Sequence, residues 1–99
     1  NYLNDRTLYW VKSPCNPSAL FLMTYNENSN LEHDLAVIEK LKGSQFTPYK
    51  THYYCYFRGR SNVNITNIPH CSSWQEAKNK INSIMRERNY IILNSRPKK

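Results

Sequence analysis

The sequence predicts an α+β fold in which an antiparallel sheet carries two helices on one face. Three observations predict it. Short runs rich in β-branched and aromatic residues have the length of strands, two other stretches place apolar residues at helical spacing, and the segments follow one another in a mixed order. The 99 residues suffice for one domain that buries a core without metal or disulfide support.

The first two segments are predicted to be strands. Thr7–Lys12 is β-branched and aromatic and stops at Ser13 and Pro14. Ala19–Tyr25 is an almost continuous apolar run, which is typical of a central strand that is covered on both faces.

A capping box predicts the start of the first helix. Ser29 and Glu32 have the required spacing, and Gly43 is placed to end the helix. Four apolar residues between them fall on one stripe of a helix: Leu31, Leu35, Ile38 and Leu41.

A second capping box, formed by Ser73 and Glu76, predicts another helix that ends near Arg88. Its apolar face consists of Trp74, Ala77, Ile81, Ile84 and Met85. Tyr90–Leu93 is then predicted to be the last strand.

Between the two helices, aromatic and cationic residues alternate at the period of a β-strand. One face of this strand, predicted to turn inward, consists of Thr51, Tyr53, Cys55 and Phe57. The other face forms a basic, ring-bearing surface of Lys50, His52, Tyr54, Tyr56, Arg58 and Arg60. Val63–Ile68 also alternates and is predicted to be the hairpin partner, closed by Pro69. A strand whose tyrosines only pack on neighbouring strands would show the same alternation.

After the leading strand, the predicted order is that of the ferredoxin-like βαββαβ sandwich. The single domain would then consist of an N-terminal strand extension at residues 1–18, a core at residues 19–95 and a basic tail at residues 96–99. The extension is expected to lengthen or cover an edge of the sheet.

Residues 19–95 resemble an RNA-recognition-motif domain. Leu20–Tyr25 is similar to the hexamer on that family's first strand, and the match puts Phe21 at a stacking position. Arg58–Ile65 is similar to the family's third-strand octamer in its Arg and Gly, but Arg60 and Asn62 stand at the two positions where rings are expected. The resemblance implies an RNA-binding sheet face, and the missing rings equally suit a protein-binding member of the family.

Charge is distributed unevenly along the chain, whose formal net charge is +7. Residues 1–39 carry two cations against five acids, a net charge of −3, whereas residues 40–99 carry a net charge of +10. This asymmetry predicts an electropositive region that faces a polyanion, of which the phosphate backbone is the commonest. An acidic protein or an anionic membrane would satisfy the same charge balance.

Together these patterns predict a nucleic-acid-binding module, with single-stranded RNA as its first candidate partner. Bases would stack on aromatic rings, while cations would contact phosphates. The predicted contact residues are Phe21, Lys50, His52, Tyr54, Tyr56, Arg58, Arg60, Arg96, Lys98 and Lys99. The alternative is a protein-interaction module that binds a partner protein or forms a homodimer on the same type of fold.

No catalytic residue, cofactor or metal site is predicted. Gly43 and Gly59 are the only glycines, which leaves no phosphate-binding loop, and the adjacent His70 and Cys71 lack the spacing of four zinc ligands. No apolar run approaches the roughly 20 residues needed to cross a bilayer. The odd number of cysteines favours a reducing intracellular compartment, nuclear or cytoplasmic, with a secreted domain as the alternative.

Overall fold

The structure is a computed structural model that describes residues 2–43, 50–58 and 65–97. In these residues, six strands form one sheet and a single α-helix packs against it. The elements are β1 (Thr7–Lys12), β2 (Ala19–Thr24), a 3-10 turn (Ser29–Leu31), β3 (Asp34–Lys42), β4 (Thr51–Phe57), β5 (Ile68–Cys71), α1 (Trp74–Glu87) and β6 (Ile91–Leu93).

The strand order across the sheet is β5-β4-β3-β2-β1-β6. The first five strands form an antiparallel meander, and α1 then leads the chain to the opposite edge, where β6 pairs in parallel with β1. The result is a curled mixed sheet with the shape of a half-barrel. The predicted ferredoxin-like sandwich, with the order that the RNA-recognition-motif resemblance implied, is therefore wrong.

The error arises at the first predicted helix, which is β3 in the structure. Leu35, Ala36, Val37 and Ile38 are all buried, and β3 is a central strand, because β2 pairs with one of its edges and β4 with the other. A central strand that buries side chains pointing to both faces is apolar at consecutive positions, so part of it also matches helical spacing. Only one turn of 3-10 helix precedes β3, and its N-cap is Asn28.

The two ends of the predicted fold also differ from the structure. β1 is not an addition at the sheet edge but lies between β2 and β6. The strand that follows β4 and pairs with it in the described residues is Ile68–Cys71, whereas the predicted partner is Val63–Ile68, of which residues 63 and 64 lie outside the described residues. Pro69 does not close this strand but lies within it. A proline has no backbone N–H to donate, and it is tolerated here because β5 is an edge strand.

α1 agrees with its prediction. The Ser73 hydroxyl accepts a hydrogen bond of 3.0 Å from the Glu76 backbone N–H, and the Glu76 carboxylate accepts one of 2.6 Å from the Ser72 backbone N–H. Ala77, Ile81 and Met85 are fully buried at 0% exposure, so the predicted apolar face is the one that packs on the sheet. No helix in the described part of the chain is long and apolar enough to cross a membrane.

The sheet therefore has two unlike faces. The helix face holds the main core, in which the apolar face of α1 packs on Leu8, Leu22, Ile38 and Cys55. Full burial of a Leu or Ile side chain contributes about 1.5 to 3 kcal/mol to the free energy of folding. The opposite face, called the open face below, carries the alternate residues of each strand, and no helix formed by the described residues packs on it.

Candidate nucleic-acid interface

The open face brings together the aromatic residues that the sequence predicts as a stacking surface. Phe21 of β2 opposes Val37 of β3, and Val37 opposes Tyr56 of β4, so the three side chains form one row. Both rings are half-buried, whereas Val37 is fully buried. Since neighbouring strands lie about 4.8 Å apart, the backbones that carry the two rings are separated by roughly 10 Å.

Tyr54 lies beside Tyr56 on the same face, with ring centroids 5.9 Å apart at an angle of 49°. The Tyr56 hydroxyl donates a 2.5 Å hydrogen bond to Glu39, and burial together with this carboxylate raises the pKa of Tyr56. The Tyr54 hydroxyl accepts a 3.0 Å hydrogen bond from the Asn67 amide. Both rings are thus held in place by hydrogen bonds at their hydroxyl ends.

Arg58, at the end of β4, lies next to this pair of rings. Its guanidinium carbon is 5.7 Å from the centroid of the Tyr56 ring, and its Nε is 2.9 Å from the Asp34 carboxylate. The Arg58 side chain is 55% exposed, and an ion pair at such a site contributes only about 0 to 1 kcal/mol. Arg58 is therefore accessible to a phosphate, although part of its charge is already neutralised.

His52 lies on the predicted face of β4, but its ring is buried rather than exposed. An exposed ring is expected from the sequence, whereas the residue is only 7% exposed. Its ring packs against that of His70 on the neighbouring strand, with centroids 4.9 Å apart. His52 is therefore a packing residue at the β4–β5 pair rather than a surface ring.

Arg96 also differs from its prediction as part of a solvated basic tail. Its guanidinium lies 2.9 Å from the Glu32 carboxylate and 5.3 Å from the centroid of the Tyr25 ring. It also donates a 3.3 Å hydrogen bond to the Asn26 carbonyl. These contacts attach the segment that follows β6 to the loop after β2, and they leave Arg96 little freedom to meet a phosphate.

Glu32 is the centre of that attachment, and its side chain is only 5% exposed. It accepts hydrogen bonds from Arg96, the Tyr9 hydroxyl and the Asn26 backbone N–H. Burial alone would raise the pKa of Glu32, but these donors hold it below its ordinary value. Burial and the adjacent carboxylate raise the pKa of Tyr9 to about 12.

The other predicted cations divide into two groups. Lys50 is exposed at the start of β4, as predicted. Arg60, Lys98 and Lys99 lie outside the described residues.

The sequence analysis missed a group of lysines at the end of the sheet where β1 and β3 end and β4 begins. This group, called the basic end below, consists of Lys12, Lys40, Lys42 and Lys50, and all four are exposed. Among residues 2–43, 50–58 and 65–97, none of them lies within salt-bridge distance of a carboxylate. Only the strand register reveals the group, because Lys12 comes from a different hairpin than the other three.

The described residues give little support for metal or thiol chemistry. They contain no group of three or more His, Cys, Asp or Glu side chains that could hold a metal ion. Cys15 is exposed, Cys55 and Cys71 are buried, and all three are free thiols. Burial and the neighbouring Cys71 raise the pKa of the Cys55 thiol, which therefore stays protonated and is a poor nucleophile.

Comparisons of this chain with protein-family models, with curated proteins and with solved structures found no match.

Proposed function

We propose that this protein binds single-stranded nucleic acid, in the first place RNA, across the open face of the sheet. The observation that carries the proposal is that Phe21, Tyr54 and Tyr56 share a helix-free face beside exposed cations. Aromatic side chains stack on bases of any sequence, and each such contact contributes about 1 to 3 kcal/mol.

The fixed positions of the tyrosine rings support this role. Tyr56 is held by Glu39 and Tyr54 by Asn67, so neither side chain has to lose much rotamer freedom when a base stacks on it. Ordering a mobile side chain on binding costs about 0.5 to 1.5 kcal/mol, and a preorganised ring avoids most of that cost.

Cations at both ends of β4 supply the complementary charge. Lys50 is exposed just before the first residue of β4, and it shares the face of Tyr54 and Tyr56 by alternation. Arg58 lies at the other end of β4, next to Tyr56. A strand that follows β4 would therefore pass over the two tyrosines with phosphate contacts at both ends.

The first test is a binding panel that uses fluorescence anisotropy. The probes are single-stranded RNA, single-stranded DNA and both duplexes, each of about 12 nucleotides, which lies within the site sizes of small stacking domains. We expect the single strands to bind more tightly than the duplexes, because a duplex does not offer its base faces for stacking.

The decisive variant is Tyr54→Ala combined with Tyr56→Ala. We expect the binding free energy for single strands to weaken by about 2 to 6 kcal/mol in total. Circular dichroism should show that the fold is retained. Tyr2→Ala is the matched control, because Tyr2 is an exposed tyrosine that packs edge-on against Tyr25, at the opposite end of the sheet from Lys50. Equal affinities for the double variant and the control would refute the stacking role.

Self-association through the open face is the second candidate. Val11 and Leu41 are apolar residues on this face with exposures of 37% and 38%, and the half-buried Phe21 and Met23 lie between them in the strand order. A second copy of the chain would cover such a face. Sedimentation of the protein without nucleic acid separates the candidates, since a dimer that is lost in Val11→Asp favours self-association.

A further inference from the structure

A cleft on the helix face has no part in the interface proposed above. It lies at the basic end, has a volume of about 370 Å³, and its lining includes Lys12, Ser18, Leu20, Lys40 and Trp74. Sites for small ligands commonly have volumes of roughly 300 to 1,000 Å³, so the cleft is large enough for one.

The cleft exists because β1 and β3 extend beyond the start of α1. Lys12 is in register with Leu20, and Lys40 with Tyr53, which puts both lysines on the helix face. The helix begins only at Trp74, so it does not cover the last residues of these strands, and both lysines are exposed. The uncovered strand ends form the floor, and Trp74 forms one wall.

The charge in the cleft favours a dianion. In the described part of the chain, neither Lys12 nor Lys40 has a carboxylate within salt-bridge distance. Lys78 adds a third cation nearby, since its Nζ is 5.7 Å from the ring of Trp10, two residues before Lys12 on the same face. A phosphate monoester carries a charge of about −1.5 to −2 at neutral pH, more than a phosphodiester does, and so matches paired lysines better.

The wall of the cleft favours a planar ring beside that phosphate. Trp74 packs against Tyr53 with ring centroids 4.8 Å apart, which holds the indole in position. Leu20 supplies apolar surface at the floor. Aromatic and aliphatic walls with a few polar groups at one side are the usual composition of sites for ring-bearing ligands.

We propose that this cleft binds a phosphate monoester attached to a planar ring, as in a nucleoside monophosphate or at the phosphorylated end of a nucleic-acid strand. The ammonium groups of Lys12 and Lys40 and the hydroxyl of Ser18 bind the phosphate, and the ring lies against Trp74. This site shares no residue with the stacking surface of the open face, so it does not depend on the function proposed there.

Calorimetric titration with adenosine 5′-monophosphate and with adenosine tests the proposal directly. We expect the nucleotide to bind about two- to thirtyfold more tightly than the nucleoside, because two surface ion pairs distinguish the ligands. Lys12→Gln combined with Lys40→Gln should remove this difference. Lys80→Gln combined with Arg86→Gln is the matched control, since it removes the same charge from exposed positions of α1.

Oligonucleotides of one sequence with a 5′-phosphate, a 3′-phosphate or no terminal phosphate identify the source of the ligand. Tighter binding of a phosphorylated strand, lost in the Lys12 and Lys40 variant, assigns the cleft to strand ends. A phosphate effect confined to the mononucleotide assigns it to free nucleotides.

The proposal is overturned if nucleotide and nucleoside bind equally or not at all, or if the control variant loses as much affinity as the cleft variant. The Tyr54→Ala, Tyr56→Ala protein separates this result from the function proposed above. It should keep its affinity for adenosine 5′-monophosphate even where it no longer binds single strands.

Discussion

The two ends of the sheet use charge in opposite ways. At the end where β2 stops and β3 starts, called the paired end here, Arg96 lies 2.9 Å from Glu32, and Arg58 lies 2.9 Å from Asp34. At the basic end, the lysines have no carboxylate within salt-bridge distance among the described residues. The paired charges hold segments of the chain together, whereas the unpaired ones are available to an anion from outside.

The largest effect should come from breaking the ion pair of Arg96 and Glu32 at the paired end. Arg96→Ala leaves the Glu32 carboxylate, whose side chain is 5% exposed, without its cation. We expect this variant to lower the free energy of unfolding, measured by urea denaturation, more than any of the other substitutions. Lys80→Ala, an exposed substitution on α1, should change it by less than about 0.5 kcal/mol. If the two variants are equally stable, the paired end has no special structural role.

A smaller effect should follow from acid. The pKa of Glu32 in the folded protein lies below its ordinary value of 4.5, so the folded state favours the ionised carboxylate. Its contribution to stability is therefore complete above that ordinary value and is lost as the pH falls through the lower, folded value. Urea midpoints measured between about pH 6 and pH 3 should decline less steeply in Glu32→Gln than in the original protein. An unchanged pH dependence would mean that Glu32 does not titrate in the expected range.

The smallest effect on stability should come from the basic end. Lys50→Gln should leave the free energy of unfolding within about 0.5 kcal/mol, because its side chain is exposed. In the salt titration of single-strand binding, the slope of log K against log salt should become shallower by about 0.7, which is the contribution of one phosphate contact to a single strand. A variant that is clearly less stable but keeps the original salt slope would contradict this contrast between the two ends.

Local signals predict β1 and α1 well and β3 poorly. The bounds of β1 agree with the prediction because Ser13 and Pro14 end the strand, and α1 agrees because Ser73 and Glu76 form its cap. β3 was mispredicted as a helix because the pairing of Ala36 with both Leu22 and Phe57 is a property of the whole sheet. Such long-range pairing decides the structure of this segment, even though a few of its apolar residues have helical spacing.

The candidate site shows the same division. Alternation along β4 correctly separates Tyr53, Cys55 and Phe57, which pack on the core, from the tyrosines of the open face. The pairing of Arg96 with Glu32 joins residues that are 64 positions apart, so no local pattern indicates it. The cleft at the basic end is equally invisible in the sequence, because it depends on where α1 begins relative to the ends of β1 and β3.

The parallel pairing of β6 with β1 has a consequence for synthesis. Thr7 pairs with Ile91, so the outer edge of β1 stays unpaired until β6 has been made. During translation the nascent meander presents that edge as a row of free backbone donors and acceptors, which are able to pair with another copy. A chain that ends before Ile91 would keep this edge unpaired and would therefore be prone to aggregate.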